Sequence, residues 1–148
     1  MTIKSFRGQI ANDGRDTIVL HTNTGSIGYR IIKFQVLPSN PEGATTESLL
    51  TVWTTSAARE SQVGVGTIDF SAQELIGVVY WSSSSVATTN PEDSTIIFDN
   101  AIFNQDIYLT CKSSGNMNYY IELEQFTLDL NENTVATLKD IRNTIGTS

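Results

Sequence analysis

Short segments in which apolar and polar residues alternate run along most of the chain and predict β-strands. The clearest is Tyr29–Leu37, in which Ile32, Phe34 and Val36 share one face. A period of two residues is typical of a strand that buries only that face. The same reasoning predicts strands at Leu49–Thr54, Leu75–Trp81, Ile107–Lys112 and Asn118–Leu130. Because Leu75–Trp81 is apolar on both faces, we expect it to lie centrally in a sheet.

Clusters of Asn, Asp, Gly, Pro and Ser separate these segments at short intervals along the chain. Such residues favour turns, and many short strands with this punctuation are typical of antiparallel sandwiches and barrels. The sequence therefore predicts an all-β fold, an antiparallel β-sandwich of jelly-roll-like form. No linker or repeat divides the chain, so residues 1–148 should form a single domain, with residues 1–12 as a candidate N-terminal arm.

The segment Asn118–Leu130 changes its pattern part-way along. Ile121 and Leu123 share one parity, whereas Phe126 and Leu128 take the other. A slip of one residue moves every following side chain to the opposite face of a sheet. We therefore expect either a β-bulge near residues 124–125 or a strand that leaves one sheet and joins the other.

The C-terminal region has a helical period instead. Val135, Leu138, Ile141 and Ile145 recur at steps of three and four residues, which predicts a short amphipathic helix over residues 131–146. A helix of this length is marginal alone in water, so its apolar stripe must dock on something. It docks either on its own sandwich or on a neighbouring subunit or shell, and in the second case these four residues form the assembly interface.

The charge and the apolar runs exclude several classes of function. The chain has sixteen acidic and nine basic residues, for a net charge of −7, and the basic residues are scattered along the sequence. Nucleic-acid binding depends on Lys and Arg, so we do not expect it. No apolar run approaches the roughly 20 residues of a membrane helix. The start of the chain does not resemble a secretion signal, and a lone cysteine cannot form an internal disulfide, so we expect synthesis in a cytoplasm.

His21 and Cys111 are the chain's only histidine and only cysteine, and neither has the surroundings of a catalytic residue. No nucleophile motif such as G-x-S-x-G is present, and a nucleophile–base pair needs a third, orienting group. One Cys and one His cannot supply the ligands of a zinc site. We therefore expect no catalytic residues, no cofactor and no metal, with Cys111 buried and unreactive.

Two further groups of residues each allow two interpretations. Asp99, Asn100, Asn104 and Asp106 could supply oxygen ligands to calcium, but they lack the calcium-loop pattern, and Asx turns at strand ends are the ordinary alternative. A set of aromatic residues could form a platform for stacking sugars, although aromatic residues in strands more often pack in the core. The members of this set are Trp53, Tyr80, Trp81, Tyr119 and Tyr120.

Several segments together carry a resemblance to a known family. They are residues 23–30, 96–100, 103–108, 118–124 and 129–142. With these segments the chain resembles small virion structural proteins of tailed marine bacteriophages, of the kind that decorate or cement the capsid.

The resemblance implies a non-enzymatic role and particular partners. The chain would be made in the host cytoplasm and would then contact the major capsid protein or another virion protein. We expect it to bind its partner as a homo-oligomer, and we expect that oligomer to be a trimer. Packaged DNA would repel an acidic domain, which favours the outer capsid surface. The alternative is a glycan- or receptor-binding β module of a phage tail or fibre.

Overall fold

The computed structural model describes residues 2–20, 27–41, 46–83, 92–98 and 101–127, and within these ranges the chain is mostly β. The described helix, α1, covers Ser56–Gln62. The described strands are β1 (Thr2–Ile10), β2 (Arg15–Ile18), β3 (Ile27–Pro38), β4 (Thr46–Trp53), β5 (Leu75–Ser83), β6 (Glu92–Ile97), β7 (Ile107–Ser113) and β8 (Met117–Thr127). The five strands predicted from alternation correspond to β3, β4, β5, β7 and β8.

The strands form two antiparallel sheets. One has three strands in the order β1-β8-β3, and the other has five in the order β2-β7-β4-β5-β6. The doubly apolar segment Leu75–Trp81 belongs to β5, which pairs with β4 on one side and β6 on the other. It is therefore an interior strand, as its pattern predicted, although β4 occupies the middle of the sheet.

One hydrophobic core joins the two sheets. The three-stranded sheet contributes Phe34, Ile121 and Leu123, and the five-stranded sheet contributes residues such as Leu50 and Leu109. All of these side chains are essentially fully buried. Each fully buried side chain of this size stabilises the folded state by roughly 1.5–3 kcal/mol relative to an exposed position.

The structure contradicts the predicted irregularity in the last described strand. Glu124 and Gln125 keep an unbroken register with β1, and β8 stays in the three-stranded sheet through Thr127. The register shift lies instead in the partner strand β3, between Ile31 and Lys33. Past Leu123 the described side chains of β8 are half-buried or exposed, so the different parity of Phe126 marks the margin of the core and not a slip.

The bulge in β3 also corrects the predicted inward face of that strand. Ile31 is 4 % exposed and Phe34 is 1 % exposed, so these two side chains enter the core. Ile32 lies between them at the bulge and is 36 % exposed, which corrects its predicted place beside Phe34. A bulge inserts one extra residue, so both flanking side chains can point inward.

Two further elements differ from expectation. The candidate N-terminal arm, residues 1–12, contains β1, which pairs along most of β8 and buries Ile10 in the core. Helix α1 was not predicted, because it is a short segment between two strands with no buried residue of its own. The predicted helix over residues 131–146 lies outside the described residues.

Candidate functional site

The predicted assembly residues Val135, Leu138, Ile141 and Ile145 lie outside the described residues, and so does His21. The candidate surface described below therefore comes from the strands and from the segment that follows α1.

Cys111 is buried in the core on β7, as predicted. Burial raises the pKa of its thiol above the ordinary value, and the nearby negative charge of Asp13 adds to the rise, while a hydrogen bond from Ser113 opposes it. Because the thiolate is the reactive form, this environment disfavours nucleophilic chemistry at Cys111.

The predicted oxygen cluster is only partly within the described residues. Asp106 accepts a hydrogen bond from the backbone N–H of Leu20 at 2.9 Å, and Asn104 is buried. Asp106 thus binds the backbone of a distant segment, which is neither a calcium site nor the local Asx turn named as the alternative. Asp99 and Asn100 lie outside the described residues. Among the residues that the structure describes, no group of three or more His, Cys, Asp or Glu side chains is placed to hold a metal ion.

The five aromatic residues do not form one platform. Trp53 is buried under the segment that follows α1, and its indole N–H donates to the Thr51 hydroxyl at 2.8 Å. Tyr119 is buried in the core, as the packing interpretation predicted. Tyr80, Trp81 and Tyr120 retain exposed surface but divide between two concave regions.

The more apolar of these two regions is a groove on the outer face of the five-stranded sheet, with a volume of about 560 Å³. We call it the sheet groove. Its floor is formed by Leu49, Val78, Tyr80 and Ile96 from β4, β5 and β6, and one wall is formed by Ile68 and Phe70. Phe70 is 49 % exposed, Ile96 40 % and Tyr80 37 %, so the groove presents large apolar side chains to solvent.

Helix α1 begins the segment that forms this wall. Thr55 caps the helix by accepting a hydrogen bond from the backbone N–H of Ala58. Arg59 lies over the Tyr108 ring at 5.2 Å and donates to the Asp16 carbonyl and the Thr17 hydroxyl. The helix is therefore tied to the face of the sheet and to β2 through one arginine.

Local hydrogen bonds then shape residues 62–75. Gln62 donates through its amide to the carbonyls of Val65 and Thr67. Gly64 adopts a φ of 76°, a conformation that glycine tolerates best. Asp69 accepts hydrogen bonds from the backbone and hydroxyl of Ser71, which hold the pKa of its carboxyl below the usual value.

Phe70 lies within that turn and packs edge-to-face against Phe98, with the ring centroids 5.3 Å apart. The wall is thus fixed by hydrogen bonds within the segment and by an aromatic contact to the residue after β6. Glu47 and Lys112 lie at the polar end of the same groove, beside Ser113 and Ser114. The arrangement offers a preformed apolar surface with one charge of each sign at its edge.

Sequence reasoning missed most of the groove. Phe70 stands in a polar turn between Asp69 and Ser71, and a lone aromatic residue in such a turn was the available signal. Ile96 lies in β6, which the alternation pattern did not single out as a strand. Only the register of β6 against β5 brings Ile96 beside Val78 and near Tyr80.

Comparison with protein-family models and with curated protein sequences gives no match to this chain. In the described part of the chain, the helical residues do not make up an apolar segment of membrane-spanning length.

Proposed function

We propose that the chain is a non-enzymatic structural protein of a bacteriophage virion, which decorates or cements the outer capsid shell as a homo-oligomer through protein–protein contacts. The proposal rests on the resemblance of several segments to small virion proteins of tailed marine phages. The observation that carries it is the sheet groove, a preformed apolar surface that is exposed on the described chain.

We also propose a finer assignment of the fold, a β-sandwich of jelly-roll type. An eight-stranded jelly roll can be drawn as a folded ribbon that pairs strands 1 with 8, 2 with 7, 3 with 6 and 4 with 5. In this chain β1 pairs with β8, β2 with β7 and β4 with β5. For the remaining pair, the Thr95 hydroxyl of β6 donates to the Phe34 carbonyl of β3 at 3.3 Å, although β6 forms its ladder with β5.

The occupant that we propose for the sheet groove is an apolar segment of the major capsid protein that is flanked by basic residues. Exposed apolar side chains that cluster in a rimmed groove are typical of interaction sites. Burying them contributes roughly 25 cal/mol per Å² of apolar surface. The chain's net charge of −7 favours a basic partner surface, and it disfavours an inner wall that faces packaged DNA.

A binding assay with capsid shells tests the role of the groove. Shells assembled from the major capsid protein encoded in the same genome are sedimented with the wild-type chain and with the Phe70→Ser and Ile96→Ser variants. We expect each groove variant to bind about tenfold or more weakly, since anchoring residues commonly contribute at least 1–2 kcal/mol. Ile3→Ser is the matched control, because Ile3 is 48 % exposed on β1 of the other sheet.

Circular dichroism is the control that checks whether all three variants remain folded. Failure of the wild-type chain to bind the shells would contradict the capsid assignment. Equal binding by the groove variants would instead contradict the role of the groove while leaving the assignment standing.

Truncation after Leu130 tests whether the C-terminal segment forms the assembly interface. It removes the predicted helix with Val135, Leu138, Ile141 and Ile145. If the shortened chain unfolds, the C-terminal segment belongs to its own core. If it stays folded but loses self-association or shell binding, those four residues form the assembly interface. If it stays folded and binds as before, the sheets carry the contact. Its mass in solution, measured beside that of the full chain, tests the expected trimer.

A further inference from the structure

One end of the sheet groove carries charged side chains beside its apolar floor. The floor follows one row of register partners across the sheet, which are Lys112, Leu49, Tyr80 and Ser94 on β7, β4, β5 and β6. Glu47 precedes Leu49 by two residues on β4, so both side chains point to the outer face of the sheet. Glu47 therefore lies about 7 Å along the strand from the apolar floor.

Glu47 is exposed, but its backbone is fixed. Its N–H donates to the Ser114 hydroxyl at 3.2 Å, and its carbonyl accepts from the Ser114 N–H at 3.1 Å. Within the part of the chain that the structure describes, its carboxylate has no hydrogen bond or ion pair. The carboxylate is thus held at the end of the groove by its strand and remains available to a partner.

Lys112, the other charged residue that lines the groove, already has a partner. Its ammonium nitrogen lies 3.6 Å from a carboxylate oxygen of Asp13. The N–H of Asp13 donates to the Cys111 carbonyl at 2.8 Å, which holds Asp13 beside β7. Because both side chains of this pair are exposed, it adds little stability, but its two charges offset each other. The charge of Glu47 is therefore left over, and this end of the groove is anionic.

An anionic end discriminates between partners. A Lys or Arg placed beside Glu47 meets an opposite charge, whereas an Asp or Glu there meets a like charge, which is unfavourable at an interface. The adjoining floor of Leu49 and Tyr80 is apolar and suits an apolar side chain. The groove therefore favours a segment in which a basic residue lies about 7 Å from an apolar one.

We propose that Glu47 determines the specificity of the sheet groove by pairing with a Lys or Arg of the capsid protein, while an apolar residue of the same segment sits over Leu49 and Tyr80. The inference rests on the proposed function, because it names what the groove selects in its partner. It places the basic flank of the bound segment at the Glu47 end.

Charge variants of Glu47 test this role in the shell-sedimentation assay. Glu47→Gln should weaken binding about threefold at low salt, as expected for loss of one exposed ion pair. Glu47→Lys should weaken it about tenfold, because it adds repulsion between like charges. The loss in both variants should shrink as salt is raised, since salt screens exposed charges.

Three control variants accompany them. Glu124→Gln and Glu124→Lys make the same changes on β8 of the other sheet, where Glu124 pairs with Arg30, and they should bind as the wild type does. Lys112→Gln separates the two charged residues of the groove. It should not weaken binding, because it leaves this end more anionic. Circular dichroism checks that every variant has the spectrum of the wild type.

A charge exchange identifies the partner residue. The probes are shells in which exposed Lys and Arg residues of the major capsid protein are changed to Glu one at a time. We expect one such shell to bind the wild-type chain about tenfold more weakly than unaltered shells do. The same shell should bind Glu47→Lys more tightly than it binds the wild-type chain, because the two exchanged charges again attract.

Three outcomes would overturn the role of Glu47 while leaving the capsid assignment standing. The first is that the wild-type chain binds shells and Glu47→Lys binds them equally well. The second is that Lys112→Gln weakens binding as much as Glu47→Gln does. The third is that no altered shell prefers Glu47→Lys over the wild type. Failure of the wild-type chain to bind any shell would instead overturn both proposals, so the two failures are distinguishable.

Discussion

Tyr119 links the two sheets through its hydroxyl group. The residue lies on β8, and its hydroxyl donates a hydrogen bond to Asp16, which lies on β2 of the other sheet. Its register partner on β1 is Gly8, where an added Cβ would lie 2.8 Å from the Tyr119 hydroxyl oxygen. The absence of a side chain at Gly8 thus makes room for the tyrosine. Burial raises the pKa of Tyr119 well above its usual value, and the Asp16 carboxylate raises it further.

This contact predicts a loss of stability in alkali. A pKa that is higher in the folded than in the unfolded chain contributes stability that is fully present below the unfolded value, about pH 10 for tyrosine, and that is lost as the pH rises above it. The urea midpoint should therefore fall as the pH rises above about 10. Tyr119→Phe should cost about 1 kcal/mol at neutral pH and should flatten this alkaline fall.

Tyr120→Phe is the matched control for that measurement. The pKa of Tyr120 is also raised, chiefly by its hydrogen bond to Glu122, but the hydroxyl lies at the surface. We expect its removal to leave most of the alkaline fall in place. An alkaline fall that was the same in Tyr119→Phe as in the wild type would contradict the role given to the inter-sheet hydrogen bond.

At the scale of elements, α1 depends on contacts outside itself. It is seven residues long and buries no residue. Isolated helices of such length are unstable in water. The contacts of Arg59 with Tyr108, Asp16 and Thr17 attach it to the sheet, whereas Arg15 and Glu60 form an ion pair at 2.8 Å between exposed side chains. Hydrogen bonding to Arg15 lowers the pKa of Glu60, but solvent screens this pair.

The two arginines should therefore differ in their effect on stability. Arg59→Ala removes a cation–π contact, two hydrogen bonds to β2 and an ion pair with the exposed Glu60. Because the Arg59 side chain is only 11 % exposed, the variant should lower the free energy of unfolding by about 1–2 kcal/mol. Arg15→Ala should change it by less than about 0.5 kcal/mol. Urea denaturation measures both, and equal effects would show that α1 is not held mainly by Arg59.

For the molecule as a whole, the decisive feature is that both sheets share one core. Cys111 lies in that core together with Leu50 from β4 and Ile121 from β8. Its thiol is 1 % exposed, so a reagent reaches it only when the sheets separate.

Thiol labelling should therefore report global unfolding. In native buffer, a disulfide reagent such as DTNB should leave Cys111 unmodified over the time in which the unfolded chain reacts completely. As urea is added, the free energy obtained from labelling should match that obtained from circular dichroism, because opening the core requires cooperative unfolding. Rapid labelling of the native chain would contradict a shared core.

Much of the fold could be read from local patterns. The alternation in Ile107–Lys112 identified β7, and the apolar character of Leu75–Trp81 placed β5 inside a sheet. The expected packing roles of Cys111 and Trp53 followed from the same patterns. The bulge in β3 could not be read in this way, because Ile31 and Ile32 are both apolar and only the opposing strands decide which of them enters the core.

The candidate sites were less accessible to sequence reasoning. Phe70 and Ile96 are separated by a whole strand and meet only because β6 pairs with β5 and the segment after α1 folds over the same face.

The sequence by itself determined the β class, the approximate strands and the acidic charge, because side-chain alternation and composition are local or additive properties. The tertiary structure alone decided the strand order, the position of the bulge, and the residues that share the sheet groove. Those features depend on hydrogen-bonded pairing between distant strands and on the packing of two sheets around one core. A one-residue difference in register would assign different side chains to each surface, and no local pattern specifies that choice.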